Sequence, residues 1–341
     1  MPTETIAAIY AEIELAQLPD ETRSGVVRRR IPSQSPCDLL IGVQKPANVR
    51  LLTVRFRASA VPVPYELPEF RSLEMQVQQE MESGAERLSI TLRAPQSAWN
   101  DIFTSLTEDI TRAVGSQTEE NTAAQVFQRR LQQWQMLLQK TGVSGLTEER
   151  QQGLYGELWC LREIVLPEMQ PATSLVAWTG PEAADRDFQF VDGIGVEVKT
   201  TRIAAPQTLA ISSERQLDDA GLNALYLLHL SAERTQEAGE TLPQIIASLH
   251  NTLSADPLAS SLFAEKLLGA GCLDVHFARY KHTGYRIRDV HLYRVREGFP
   301  RITPQDISAG IGSVRYVVSA AACVPFTVDI STLTAQIKGS Q

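Results

Sequence analysis

Three carboxylates and one ammonium, spaced over about forty residues, are the part of this chain best suited to chemistry. They are Glu157, then Asp187, then Glu197 and Lys199. Asp187 and Glu197 are hard oxygen donors of the kind a magnesium ion takes, together with waters and phosphate oxygens. A lysine beside them can orient or help deprotonate a water, or balance charge on a phosphate. The chemistry this set could perform is divalent-cation-dependent hydrolysis of a phosphodiester.

Two strands must position the last three residues. Phe188 and Phe190 alternate with Asp187 and Gln189, and Val196 and Val198 alternate with Glu197 and Lys199. Period-two geometry puts Glu197 and Lys199 side by side on one face. Asp192-Gly193-Ile194-Gly195 is a turn suited to a hairpin, which lets Asp187 approach them across it. Glu-x-Lys alone is common on solvated strands as an ordinary ion pair; the aspartate one hairpin upstream is what gives it meaning. Asp185 competes for that role, but Asp187 has the better strand context.

Glu157 belongs to a helix expected from Thr147 to Val165 and ended by Pro167. At about 100° per residue, Leu154, Leu158, Leu161, Ile164 and Val165 form one apolar arc, and Glu157 falls inside it. A carboxylate there needs a metal, a cation or water to offset its burial, or an arginine such as Arg186. Gly153 and Gly156 weaken the helix and suggest that another backbone comes close. Beyond the hairpin, residues 207–212 read as a third strand. Ser212 and Ser213 could cap a helix carrying Gln216, and 222–231 reads as a buried strand. Gln216 could reach the acids or serve only as a cap.

In this order of helix-Glu, Asp and Glu-x-Lys, the chain resembles the PD-(D/E)XK nuclease superfamily. More narrowly, it resembles the bacterial PD-(D/E)XK motif proteins linked to restriction and phage defence. The resemblance rests on Gly153-Leu-Tyr-Gly-Glu157-Leu-Trp, Trp178-Thr-Gly-Pro181, Asp187-Phe188, Glu197-Val-Lys-Thr-Thr201, 211–217, Tyr293-Arg-Val and Phe299-Pro-Arg-Ile302. No proline precedes Asp187, so the literal Pro-Asp is missing. The resemblance implies an α/β (α+β), restriction-endonuclease-like α-β-β-β-α-β core and a metal-dependent endonuclease acting on DNA in a restriction or anti-phage system, leaving a 5′-phosphate and a 3′-hydroxyl. It implies catalytic Glu157, Asp187, Glu197 and Lys199, with Gln216 accessory. The Mg2+ ion (Mn2+ substituting) would be held by Asp187, Glu197 and the Val198 carbonyl.

The remaining signals are weaker. Net charge is −8, which taken whole disfavours nucleic acid. From Asp274 to Arg301, however, seven Lys/Arg stand against three acids, interleaved with Tyr280, Tyr285 and Tyr293 and with His276, His282 and His291. This segment is expected to form a basic β-hairpin, with Arg279, Lys281, Arg286 and Arg288 as candidate DNA contacts, or else a solvated strand face. Four scattered cysteines disfavour structural zinc and disulfides. No secretory leader, long apolar span or phosphate loop is present, so a cytoplasmic protein without a membrane is expected. An N-terminal β-rich domain is expected over 1–116, with a helix at 3–18 and strands near 26–31, 38–43, 49–56 and 86–92. A helix from Pro95 and a linker at 115–121 follow, and the nuclease-like domain spans 117–341, opening on a helix at 123–140. A non-catalytic DNA-binding or scaffold subunit of a defence complex, a structural oligomer and a homodimer all stay open, as do other subunits as partners.

Overall fold

The structure is a computed structural model describing residues 5–16, 24–62, 64–82, 84–141, 145–182, 184–203 and 206–338. The chain divides into two compact units, 1–144 and 145–341.

In the first unit, α1 (Ile6–Leu15) precedes β1 (Gly25–Arg30), β2 (Asp38–Lys45), β3 (Val49–Arg57), β4 (Glu74–Glu82) and β5 (Ala85–Arg93), and α2 (Asn100–Gly115) and α3 (Glu120–Thr141) follow. The strands form one antiparallel sheet in the order β1-β2-β3-β5-β4. Residues 3, 4, 17 and 18 of the expected first helix lie outside the described residues. The expected strands are all present, and β4 is an addition: its Glu-Met-Gln-Val-Gln-Gln-Glu-Met-Glu is almost wholly exposed at the sheet edge, so it shows no apolar alternation. Helix α3 starts at Glu120 and packs on β3 and α2, burying Phe127, Leu131 and Trp134. The boundary between units therefore follows α3, at 144/145, and does not fall at 116/117. Glu120 is buried and held by the Arg57 amide at 2.6 Å, by the Arg57 guanidinium, and by Arg87 at 3.9 Å.

In the second unit, α4 (Glu148–Cys160) opens under the Thr147 cap, with Glu148 and Glu149 in its first turn. It runs into a π-helical turn over Leu161–Val165. Then come α5 (Pro171–Ala177), β6 (Phe188–Phe190), β7 (Ile194–Arg202), β8 (Thr208–Ile211), β9 (Ala224–Gln236), β10 (Glu240–Thr241), α6 (Leu242–Leu253), α7 (Pro257–Ala270), α8 (Phe277–Tyr280), β11 (Thr283–Val295), β12 (Tyr316–Ser319), α9 (Ala320–Cys323), β13 (Thr327–Val328) and α10 (Ile330–Ile337). The main sheet runs β10-β11-β9-β7-β6, with β13 against β11. Strand β7 is antiparallel to β6 and parallel to β9, the pairing of a mixed α/β core.

Alternation gives this sheet two different faces. Val196, Val198, Tyr226 and Leu228 join a core with Leu154, Leu158, Trp178, Ile245 and Phe263 from the helices. Leu225, Leu227, Tyr293 and Val295 join a smaller core with Leu209, Ile211 and Val318 from β8 and β12. Glu197 and Lys199 lie on this second face, in register with Leu227 and His229.

Three local expectations are corrected. Strand β8 pairs with β12 in its own two-stranded sheet, so it is not the third strand of the main one. Residues 214–217 form turns, not a helix: the Ser213 hydroxyl accepts the Arg215 amide and the Gln216 side chain accepts the Ser212 amide, local bonds that compete with a helical ladder, while Gln216 also reaches Glu197. The basic segment is no hairpin: β11 pairs along its whole length with β9, with a bulge between Ile287 and Asp289, and His276 stands in a short helical turn before it. Among the described residues, no helix is long and apolar enough to cross a membrane.

Candidate active site

The β6–β7 hairpin forms as its alternation requires, with Phe188 opposite Val196 and a turn at 191–193. Asp187 lies just before β6 on the Glu197 face. Its Oδ2 accepts the Val198 amide at 2.7 Å, and its carbonyl accepts the Thr179 and Gly180 amides at 2.8 and 3.0 Å. Asp185 is exposed and takes no part in this cluster.

Glu157 comes from α4, from inside the apolar arc. Its Oε2 accepts the indole N–H of Trp178 at 2.8 Å, in place of the expected pairing with Arg186. Arg186 instead donates to the Asp218 carbonyl, with its aliphatic stem against Gly195. Gly156 explains how α4 sits so low on β7: a Cβ there would meet Thr200 Oγ1 at 1.8 Å. Gly153 has open space around it, so no close approach accounts for it.

Gly180 brings the two acids together. A Cβ on it would lie 2.5 Å from Glu157 Oε2 and 3.1 Å from Asp187 Oδ1, so the bare backbone forms one wall of the space between them. Glu197 is almost completely buried. Its Oε1 receives Lys199 Nζ and Gln216 Nε2, each at 2.7 Å, while its Oε2 is buried without a hydrogen-bond partner among the described residues. Gln216 is braced in turn by the Ser212 amide at 2.7 Å and lies 3.4 Å from Lys199 Nζ. The sequence placed Gln216 within reach of the acids, and it does reach them, from a turn.

The electrostatics follow from three carboxylates sharing one lysine. Burial, then the neighbouring Asp187, pushes Glu197 up to about 8. Burial, Asp187 and Glu197 hold Glu157 well above the usual range against the indole bond that favours its ionised form. Burial raises Asp187 against the pull of Lys199 and the Val198 amide. For Lys199, burial opposes the charged form, but Glu197 and Asp187 outweigh it and its pKa is raised. The cluster is short of positive charge.

A hard divalent cation fits that deficit. The candidate donors are oxygen atoms, one of them the orphaned Oε2 of Glu197, and the Gly180 wall leaves Asp187 Oδ1 and Glu157 Oε2 facing one space. Among the described residues, no three acidic, histidine or cysteine side chains already stand in ligating geometry. Asp187 and Glu197 are donors brought near one another and not a finished cage, in keeping with an ion that retains water and takes ligands from its substrate.

The remaining candidates lie elsewhere. Arg279 and Lys281 are exposed around α8, and Arg286 and Arg288 are exposed on β11. Arg286 pairs in register with Glu233, four residues along β9 from His229, roughly 13 Å from the level of Lys199. Arg288 is bonded to Glu233, and Arg294 and Arg301 are turned inward onto Tyr226 and Asp219. Sequence reasoning gave no role to Trp178 or Gly180, although both stand in the quoted Trp-Thr-Gly-Pro run. It also missed His229, fully buried opposite Lys199 with Nε2 2.8 Å from Thr201 Oγ1. Burial, then His291, lowers His229 to about 4, so it is a neutral polar neighbour.

Compared with known proteins, residues 6–321 match the family model described as "Putative PD-(D/E)XK family member, (DUF4420)". No curated protein matches the chain. No solved structure matches it either.

Proposed function

This chain belongs to the PD-(D/E)XK family, and from that premise we propose that it is a divalent-cation-dependent nuclease hydrolysing DNA phosphodiester bonds. The observation that carries the reading is Glu197: a buried carboxylate with a lysine on one oxygen and, among the described residues, no hydrogen-bond partner on the other, beside Asp187. A structural ion pair would satisfy both oxygens.

In this reading Asp187, Glu197 and the Val198 carbonyl hold Mg2+, with Mn2+ able to substitute. The bound cation would supply charge for the scissile phosphate and acidify water. Lys199, kept protonated by two carboxylates, orients the attacking water or faces the phosphate. Gln216 fixes the Glu197 oxygen that Lys199 uses, leaving Oε2 as the free donor. Glu157, high in pKa and anchored by Trp178, can hold a water or accept its proton. The choice of DNA, the endonucleolytic mode and a role in restriction or phage defence rest on the family resemblance.

One observation favours a second reading, that of a scaffold subunit. Net charge is −8, and Arg288, Arg294 and Arg301 are taken up by internal partners, so the basic face available to a phosphate backbone is reduced. Plasmid and phage DNA cleavage with Mg2+ or Mn2+ separates the two. Metal-dependent nicking that is lost in both Asp187→Ala and Lys199→Ala is expected for the nuclease. Wild-type protein that neither cleaves nor binds Mn2+ would leave the scaffold.

A further inference from the structure

Helix α7 buries a charge next to the site without touching the acids. Lys266 is 6 % exposed, and its ammonium donates to the Trp178 carbonyl at 2.6 Å and to Glu182 at 2.7 Å. A buried lysine is costly unless its hydrogen bonds are placed with purpose. The Glu182 side chain is largely exposed, so the contact that fixes the ammonium against the backbone is the one to the Trp178 carbonyl.

That carbonyl belongs to a short segment with two working sides. Toward α7, Lys266 grips residue 178 and Gly269 lets the helix approach, since a Cβ there would stand 3.3 Å from the Pro181 carbonyl. Toward the site, the Trp178 indole holds Glu157, the Thr179 and Gly180 amides hold the Asp187 carbonyl, and Gly180 walls the space between the two carboxylates. The indole is fully buried and leans on Phe263 of α7 at 6.3 Å between ring centroids. Segment 178–182 is thus a strut between α7 and two of the three acids.

We propose that Lys266 is a positioning residue of the site: by fixing the Trp178 carbonyl it sets where the indole holds Glu157 and where Gly180 sits between Glu157 and Asp187. Its consequence for cation binding rests on the metal-dependent reading above; its consequence for the Trp178–Glu157 bond does not. Without Lys266 the strut keeps its hydrophobic packing and loses its registration, so the acids no longer converge.

The test uses the full chain, 15N-labelled and metal-free, with the Trp178 indole resonance assigned by its loss in Trp178→Phe. Lys266→Met is compared with Leu253→Ala, a core substitution in α6 that destabilises the same unit and removes none of the strut's hydrogen bonds. Indole N–H exchange is followed first, then Mn2+ binding by calorimetry. Lys266→Met is expected to speed Trp178 indole exchange and weaken Mn2+ binding ~10-fold or more, with Leu253→Ala close to wild type in both. Exchange and Mn2+ binding changed no more in Lys266→Met than in Leu253→Ala would overturn the assignment. If wild-type protein binds no Mn2+, the nuclease reading falls, and indole exchange alone then decides whether Lys266 sets the strut.

Discussion

The chain buries carboxylates in two places and treats them in opposite ways. In the N-terminal sheet, Glu120 is surrounded by donors: the Arg57 amide, the Arg57 guanidinium and, farther off, Arg87. In the second unit, Glu157, Asp187 and Glu197 share Lys199, and one oxygen of Glu197 has no partner. The first arrangement ties α3 to β3 and engages both Glu120 oxygens. The second leaves one acid oxygen unengaged among the described residues, which is the observation the nuclease reading rests on.

Breaking the second cluster should have the largest effect, on activity and not on folding. Asp187→Asn is expected to lower metal-dependent plasmid cleavage by about 1,000-fold or more, with the urea midpoint near wild type. Next comes the contrast itself. Glu120→Gln should cost about 2–3 kcal/mol of stability because its charged hydrogen bonds are lost, whereas Glu157→Gln should leave the urea midpoint of metal-free protein unchanged or raised, because it removes a like charge.

A smaller effect comes from pH. Folding raises the pKa of Glu197 from the ordinary glutamate value to about 8, and raises Glu157 and Asp187 in the same direction. A group with a raised folded pKa stabilises at low pH and loses that contribution as pH climbs through the folded value. His229, lowered to about 4, opposes this below its ordinary value of 6.5. Metal-free protein should therefore gain about 2 kcal/mol between pH 8 and pH 6, read as a rise in Tm. Saturating Mg2+ should flatten that slope, since a cation favours the ionised acids. The smallest effect expected is at Gln216: Gln216→Ala should reduce cleavage ~10-fold, since it frees the Glu197 oxygen from one of its two donors.

Much of this site could be read before any coordinates. Alternation in 187–200 is local, so the hairpin and the shared face of Glu197 and Lys199 followed directly, and the helical arc showed that Glu157 points inward. What could not be read depended on distant partners. The basic alternation of 283–295 is real, but alternation does not say which strand lies alongside, and the partner is β9 and not a neighbouring hairpin arm. Lys266 meets Trp178 across 88 residues of sequence, so nothing near either position announces the contact. Gln216 was legible as a polar group near the acids, while the turn that carries it is closed by its own side chain on the Ser212 amide. Strand β4 went unseen because a nearly all-exposed edge strand has no buried face to leave a pattern.

The parallel pairing of β7 with β9 has one more consequence. Parallel neighbours cannot be joined by a tight turn, so the chain leaves β7 at Arg202 and returns at Ala224, carrying Gln216 across on the way. Glu197 and Lys199 are on the strand that departs, their brace is on the excursion, and the strut behind Asp187 is locked from α7, later still. A chain emerging from synthesis would expose Asp187, Glu197 and Lys199 well before it could register them. Assembly of the four residues is therefore coupled to closure of long-range structure, and a half-made molecule carries them without bringing them together.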